Sequence, residues 1–150
     1  MMTATRRFLR TPRHRKALLI EAAAALLLGR FLTLFPMRLH TRVLGLPMRE
    51  TSLFLPIAQI GVAMRVSSAV QRASMVVPFK AVCIEQTLAT RLLLKRRGIP
   101  TTAYFGVHRD AEKRTSDPDG FNAHAWLRAG ERVIIGGPDV SEYLPLAKFA

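Results

Sequence analysis

The run Lys95-Arg96-Arg97-Gly98-Ile99-Pro100 divides this 150-residue chain into two unlike parts. Three cations suit the negative end of a helix, Gly98 suits the left-handed position just past it, and Pro100 prevents the helix from continuing. Before this stop, apolar residues recur at helical spacing. After it, Thr101-Thr102-Ala103-Tyr104-Phe105-Gly106-Val107 is β-branched and aromatic, the texture of a strand. The predicted fold class is therefore α+β, with N-terminal helices followed by a small antiparallel sheet.

Residues 1–11 read as a basic tail, and 12–150 as a single domain with a helical part over 12–80 and a helix plus sheet over 81–150. Leu18, Ala22, Ala25, Leu26, Gly29 and Leu32 predict a helix from Pro12 to about Phe35, ended by Pro36. A short helix follows from Met37 to Leu44, closed by Gly45, and Arg49 to Leu55 read as linker. Pro56 opens a third helix that runs to about Ala73, and a fourth runs from about Ala81 to Arg97. Two more strands are expected at 122–128 and 132–135, with Asp117-Pro118-Asp119-Gly120 as a turn and 140–150 as a docking tail.

Composition narrows the function classes. A chain that is 49% apolar can build a sizeable core. A single cysteine cannot form an internal disulfide, which fits a reducing, cytoplasmic setting. The apolar run from Ala17 to Phe35 contains Glu21 and Arg30, so it reads as a buried helix, and no integral membrane segment is expected. Thr5-Arg6-Arg7-Phe8-Leu9-Arg10 hints at a twin-arginine export signal, but the polar spacer from Pro12 to Lys16 argues against it. The net charge of +13 favours an acidic partner, a nucleic acid or an anionic membrane, or is a solvated basic face. A non-catalytic basic binding module is accordingly the alternative to an enzyme.

The enzyme reading starts at Cys83, in or near the first turn of the fourth helix, where unpaired N–H groups favour a thiolate. The helix end and Lys80 together supply about 1 kcal/mol, too little to activate a thiol alone. A base is needed, and His124 lies in the strand-like run Asn122-Ala123-His124-Ala125-Trp126. A third group should orient the imidazole. If Ala129 pairs with Arg132, then His124 pairs near Gly137, and Asp139 projects on the same face one step further along; Asp117 and Asp119 are the alternatives. The N–H of Cys83 is the natural first oxyanion donor, and Gln86 lies one turn into the helix. One cysteine with scattered histidines does not match a zinc pattern, and there is no glycine-rich phosphate loop, so no metal and no cofactor is expected. His108 is a weaker candidate base, and His14 and His40 look like helix-surface residues.

At these residues the chain resembles a known family. The segments from Cys83 to Ala89, Leu92 to Pro100, Phe105-Gly106-Val107 and Ala123-His124-Ala125-Trp126, with the ending from Val133 to Phe149, are similar to the lasso peptide biosynthesis B2 proteins. These are leader peptidases of the transglutaminase-like cysteine protease superfamily. The resemblance implies a papain/transglutaminase-like core, with Cys83 as nucleophile, His124 as base and an aspartate as the third member. Many family members carry that aspartate twelve residues after the histidine, where this chain has Gly136; Asp139 is the nearest substitute. The implied reaction is hydrolysis between the leader and core of a lasso precursor peptide. The implied partners are a separate leader-recognition protein and an ATP-dependent macrolactam synthetase, with no nucleic acid.

Overall fold

Helix α4 (Cys83–Lys95) is surrounded on every side, and the fold is built around it. A computed structural model describes residues 12–115 and 123–150. Along α4, Leu88, Ala89, Leu93 and Leu94 are buried, and so are Glu85, Thr87, Thr90 and Arg91 between them. A helix with buried residues all round must have neighbours all round. Helices α1 (Arg13–Thr33), α2 (Met37–Leu44) and α3 (Ile57–Ser74) pack on it from one side, and strands β2 (Ala123–Ala129) and β3 (Arg132–Ile135) from the other.

The strands form one antiparallel sheet in the order β3-β2-β1-β4, with β1 at Thr102–His108 and β4 at Tyr143–Phe149. The helices-then-sheet order expected from the sequence is observed. The segment after residue 140, read as a docking tail, is instead a short 3-10 turn (Pro138–Glu142) followed by β4 along the outer side of β1. Pro145 is tolerated because β4 is an edge strand, and the ladder shifts register beside it. A short helix α5 (Ala111–Thr115) follows β1. The tail 1–11 and the turn at 117–120 lie outside the described residues.

Ala103, Leu127 and Ala129 face the helices and join the core, and Ala125 is buried on the same strand face. The other sheet face carries Tyr104, Trp126 and Arg128, which are also buried. The segment read as linker meets Tyr104 and Arg128: Arg128 Nη2 donates to Thr51 O at 3.0 Å, Tyr104 donates to Glu50, and Thr51 N–H donates to Thr102 Oγ1 at 2.9 Å. Arg91 ties the helical layer to the start of β1. Its guanidinium donates to Thr101 O and, at 3.0 Å, to Thr101 Oγ1, and burial pulls its pKa down to about 10.

The charges inside the apolar run of α1 find partners across helices. Arg97 pairs with Glu21 at 2.6 Å, and Arg30 pairs with the buried Glu85 at 2.9 Å. Glu85 also accepts the N–H of Val82 at 2.6 Å, closing the first turn of α4 from within. Gly29 allows this approach, since a side chain there would crowd Glu85 O at 3.1 Å. Glu85→Ala removes the cap and the pair together and leaves a hole. We expect it to cost about 2–3 kcal/mol, read as a lower urea midpoint at unchanged slope.

Candidate active site

Cys83 is the first residue of α4, preceded by Val82 in an extended conformation (φ −85°, ψ 177°) that ends the incoming chain and starts the helix. The thiol is half-buried. Burial pushes its pKa up, but this is outweighed by the hydrogen bond with His124 and by the backbone N–H groups of Ala125 and Ile84, and the pKa falls below the ordinary value. Lys80 is exposed and is not among the groups that move it. The Cys83 N–H has no acceptor within its own helix turn, as at any helix start. Gln86 points back: its Nε2 donates to Ala81 O at 3.1 Å.

His124 lies near the start of β2, opposite Gly106 of β1. Its Nε2 is 2.7 Å from Gly136 O. A carbonyl only accepts, so Nε2 carries the proton, and Nδ1 is the nitrogen left for the thiol. The hydrogen bond with Cys83 raises the His124 pKa; burial opposes this, and the Gly136 carbonyl adds to it. The two shifts run in opposite directions and both favour a thiolate–imidazolium pair. The ring packs in an aromatic cluster, with centroids 4.6 Å from Tyr143 and 6.1 Å from Trp126, and Tyr143 and Trp126 lie 6.4 Å apart. These rings restrict the tilt of the imidazole, and the carbonyl fixes its rotation.

The atom that meets His124 Nε2 is the Gly136 carbonyl oxygen, and Asp139, expected to orient the ring, has its side chain elsewhere. Ala129 does pair with Arg132, as the hairpin spacing predicts. The ladder then shifts between Arg128–Val133 and Leu127–Ile135, which places one extra residue on β3 and breaks the parity that would have aligned Asp139 with His124. Beyond Ile135, Gly136 (φ 111°) and Gly137 (φ 79°) turn the chain, and the carbonyl of Gly136 is aimed at the ring. Asp139 stands exposed in the 3-10 turn. It acts on Tyr143, whose pKa it helps to raise after burial and Glu142, and it is not among the groups that shift His124. Asp117 and Asp119 lie outside the described residues. Asp139→Ala should therefore leave turnover within about threefold of wild type, since an exposed carboxylate is well screened. A steady-state assay of the purified variant checks this.

The other histidines are placed differently from one another. His108 is buried against Glu142, with Nε2 3.3 Å from the carboxylate, and its Nδ1 accepts the N–H of Asp110. His14 is exposed. His40, read as a surface residue, is buried, with Nε2 2.6 Å from Leu32 O, because α2 folds back onto the end of α1. Among the described residues, no three His, Cys, Asp or Glu side chains converge as a metal site would require. A cleft of about 650 Å³ runs between α3 and the end of β3, lined by Met64, Arg65, Val133, Pro138 and Val140, and reaching Gly137. Neither Cys83 nor His124 lines it; Gly137, which does, follows in sequence the residue whose carbonyl meets the imidazole.

No curated protein and no solved structure matches the chain. A family model described as the transglutaminase-like superfamily matches residues 25–148, a stretch that holds Cys83, His124 and Gly136 together with α4 and all four strands. With most of its length matched, the chain belongs to the transglutaminase-like superfamily.

Proposed function

We propose that this protein is a cysteine endopeptidase that removes the leader from a lasso peptide precursor. The observation that carries the reading is the Cys83–His124 pair at the start of α4, in which each group moves the other: the thiol pKa is lowered and the imidazole pKa raised. The narrower choice of substrate rests on the resemblance of the residues around that pair to the B2 leader peptidases.

In this mechanism His124 Nδ1 holds the proton of Cys83, and the thiolate attacks the carbonyl carbon of the scissile peptide bond. The tetrahedral oxyanion is met by the N–H of Cys83. His124 passes its proton to the departing amine, the C–N bond breaks, and the leader stays on Cys83 as a thioester. Water then gives a proton to His124 and its oxygen to the carbonyl carbon. The C–S bond breaks, the leader leaves with a free carboxyl group, and the thiolate–imidazolium pair is restored. The cleft that starts at Gly137 suits an extended peptide with apolar side chains against Met64 and Val140 and an acidic one beside Arg65. A separate leader-recognition protein presents the precursor, and an ATP-dependent macrolactam synthetase closes the ring on the released core. The reaction belongs in the cytoplasm.

The test is to incubate the purified protein with precursor and leader-recognition protein and to read the products by mass spectrometry. Cleavage at the leader–core junction supports the reading. An intact precursor that instead gains an added primary amine would mean acyl transfer to an amine, a transglutaminase. An intact precursor with slow Cys83 alkylation and salt-sensitive nucleic-acid binding would favour a basic binding module.

A further inference from the structure

Helix α1 is apolar on two sides, and only one of them is covered. Its inner side, with Ala22, Ala25, Leu26 and Gly29, packs on α3 and α4. On the opposite side Ile20, Ala24, Leu27, Phe31 and Leu34 recur at helical spacing and are exposed, Ile20 by 63%, Leu27 by 51%, Phe31 by 55% and Leu34 by 72%. Leu28 and Phe35 widen this stripe, and Phe31 and Phe35 pack edge to face at 4.8 Å. From Ala17 to Leu34 it runs roughly 27 Å at ~1.5 Å per residue. A continuous apolar stripe of this kind on a folded surface marks an interaction site.

Its charges indicate what covers it. Arg13 continues the line of the stripe at its N-terminal end, with Arg15 in the same turn, and three more arginines, Arg6, Arg7 and Arg10, precede the helix in sequence. Glu21, the one acidic residue of α1, is neutralised by Arg97 at 2.6 Å. A second copy of a chain with net charge +13 would bring these cations together, which disfavours self-association here. The stripe is also convex, a helix face standing on the outside of the helical layer. Among the described residues no helix is long and apolar enough to cross a membrane. Basic residues beside an exposed apolar helix face are what lets a helix lie in the plane of an anionic bilayer surface.

We propose that the outer face of α1 docks the protein on anionic membranes, with Leu27, Phe31 and Leu34 entering the headgroup–acyl boundary and the arginines contacting lipid phosphates. This docking does not depend on the proposed peptidase activity. The test is co-sedimentation of the full chain with phosphatidylglycerol vesicles and with phosphatidylcholine vesicles, for wild type and for Leu27→Glu/Phe31→Glu. We expect binding to phosphatidylglycerol, with the bound fraction falling at least ~10-fold in the variant and on phosphatidylcholine. Cys83 alkylation at the wild-type rate shows that the variant is folded; if that fails, Leu27→Ser/Leu34→Ser replaces it. Three results would overturn the proposal: no binding to either vesicle, equal binding by wild type and folded variant, or a dimer in sedimentation velocity that the variant dissociates. The last would assign the face to a second copy.

Discussion

Cys83→Ala should abolish peptide cleavage, by at least about 10³-fold, while the protein remains folded. The sulfur is the only atom lost, and a half-buried methyl group at the start of α4 leaves the packing of the helix unchanged. The N–H groups of the first turn and the groove stay in place, so precursor should still bind. His124→Ala should cost a comparable factor for a different reason. The nucleophile remains, but burial then raises the thiol pKa against the backbone N–H groups alone, and no group is left to protonate the departing amine. Circular dichroism and a urea midpoint near wild type would separate these losses from unfolding.

Gly136→Ala is the second large effect, and it acts through the backbone. A Cβ at this position would overlap Trp126, and φ of 111° is strained for any L side chain. The chain must move, and the carbonyl that holds His124 Nε2 moves with it. We expect about 2–4 kcal/mol of lost stability from strain and overpacking. Turnover should fall by about 10²-fold or more in the molecules that remain folded, because the imidazole is no longer held on the thiol. The contrast with Asp139→Ala is diagnostic: a glycine with no side chain matters, and the nearby carboxylate does not. The neutral acceptor also has a chemical consequence. A carbonyl fixes the tautomer as a carboxylate would, but stabilises the imidazolium less.

The helices and the meeting of Cys83 with His124 were legible because side chains announce them. Gly98 and Pro100 end α4, apolar spacing marks α1 and α3, and a lone cysteine at a helix start with a histidine in an apolar strand is a recognisable combination. The orienting group was not legible, because a backbone carbonyl has no residue type. Its only trace was the pair Gly136-Gly137, which reads equally well as the end of a strand. The bulge in the β2–β3 ladder reversed the parity on which Asp139 depended, and no residue in Arg132-Val133-Ile134-Ile135 marks it. Strand β4 was hidden by Pro145 and by leucines at 144 and 146 that face outward, a pattern only an edge strand allows. The outer face of α1 was missed for the opposite reason: apolar residues on both sides of a helix suggest burial, and here one side is open.

If His124 holds Cys83 as a thiolate, the pH dependence of Cys83 alkylation must show it. The rate follows the thiolate and is lost as pH falls through the pKa of the thiol. With that pKa lowered, the wild-type midpoint should lie below that of a free cysteine thiol under the same conditions, and His124→Ala should move it upward, since burial then acts with less opposition. A wild-type midpoint at or above that of the free thiol, or one that His124→Ala leaves unchanged, would contradict a thiolate held by His124.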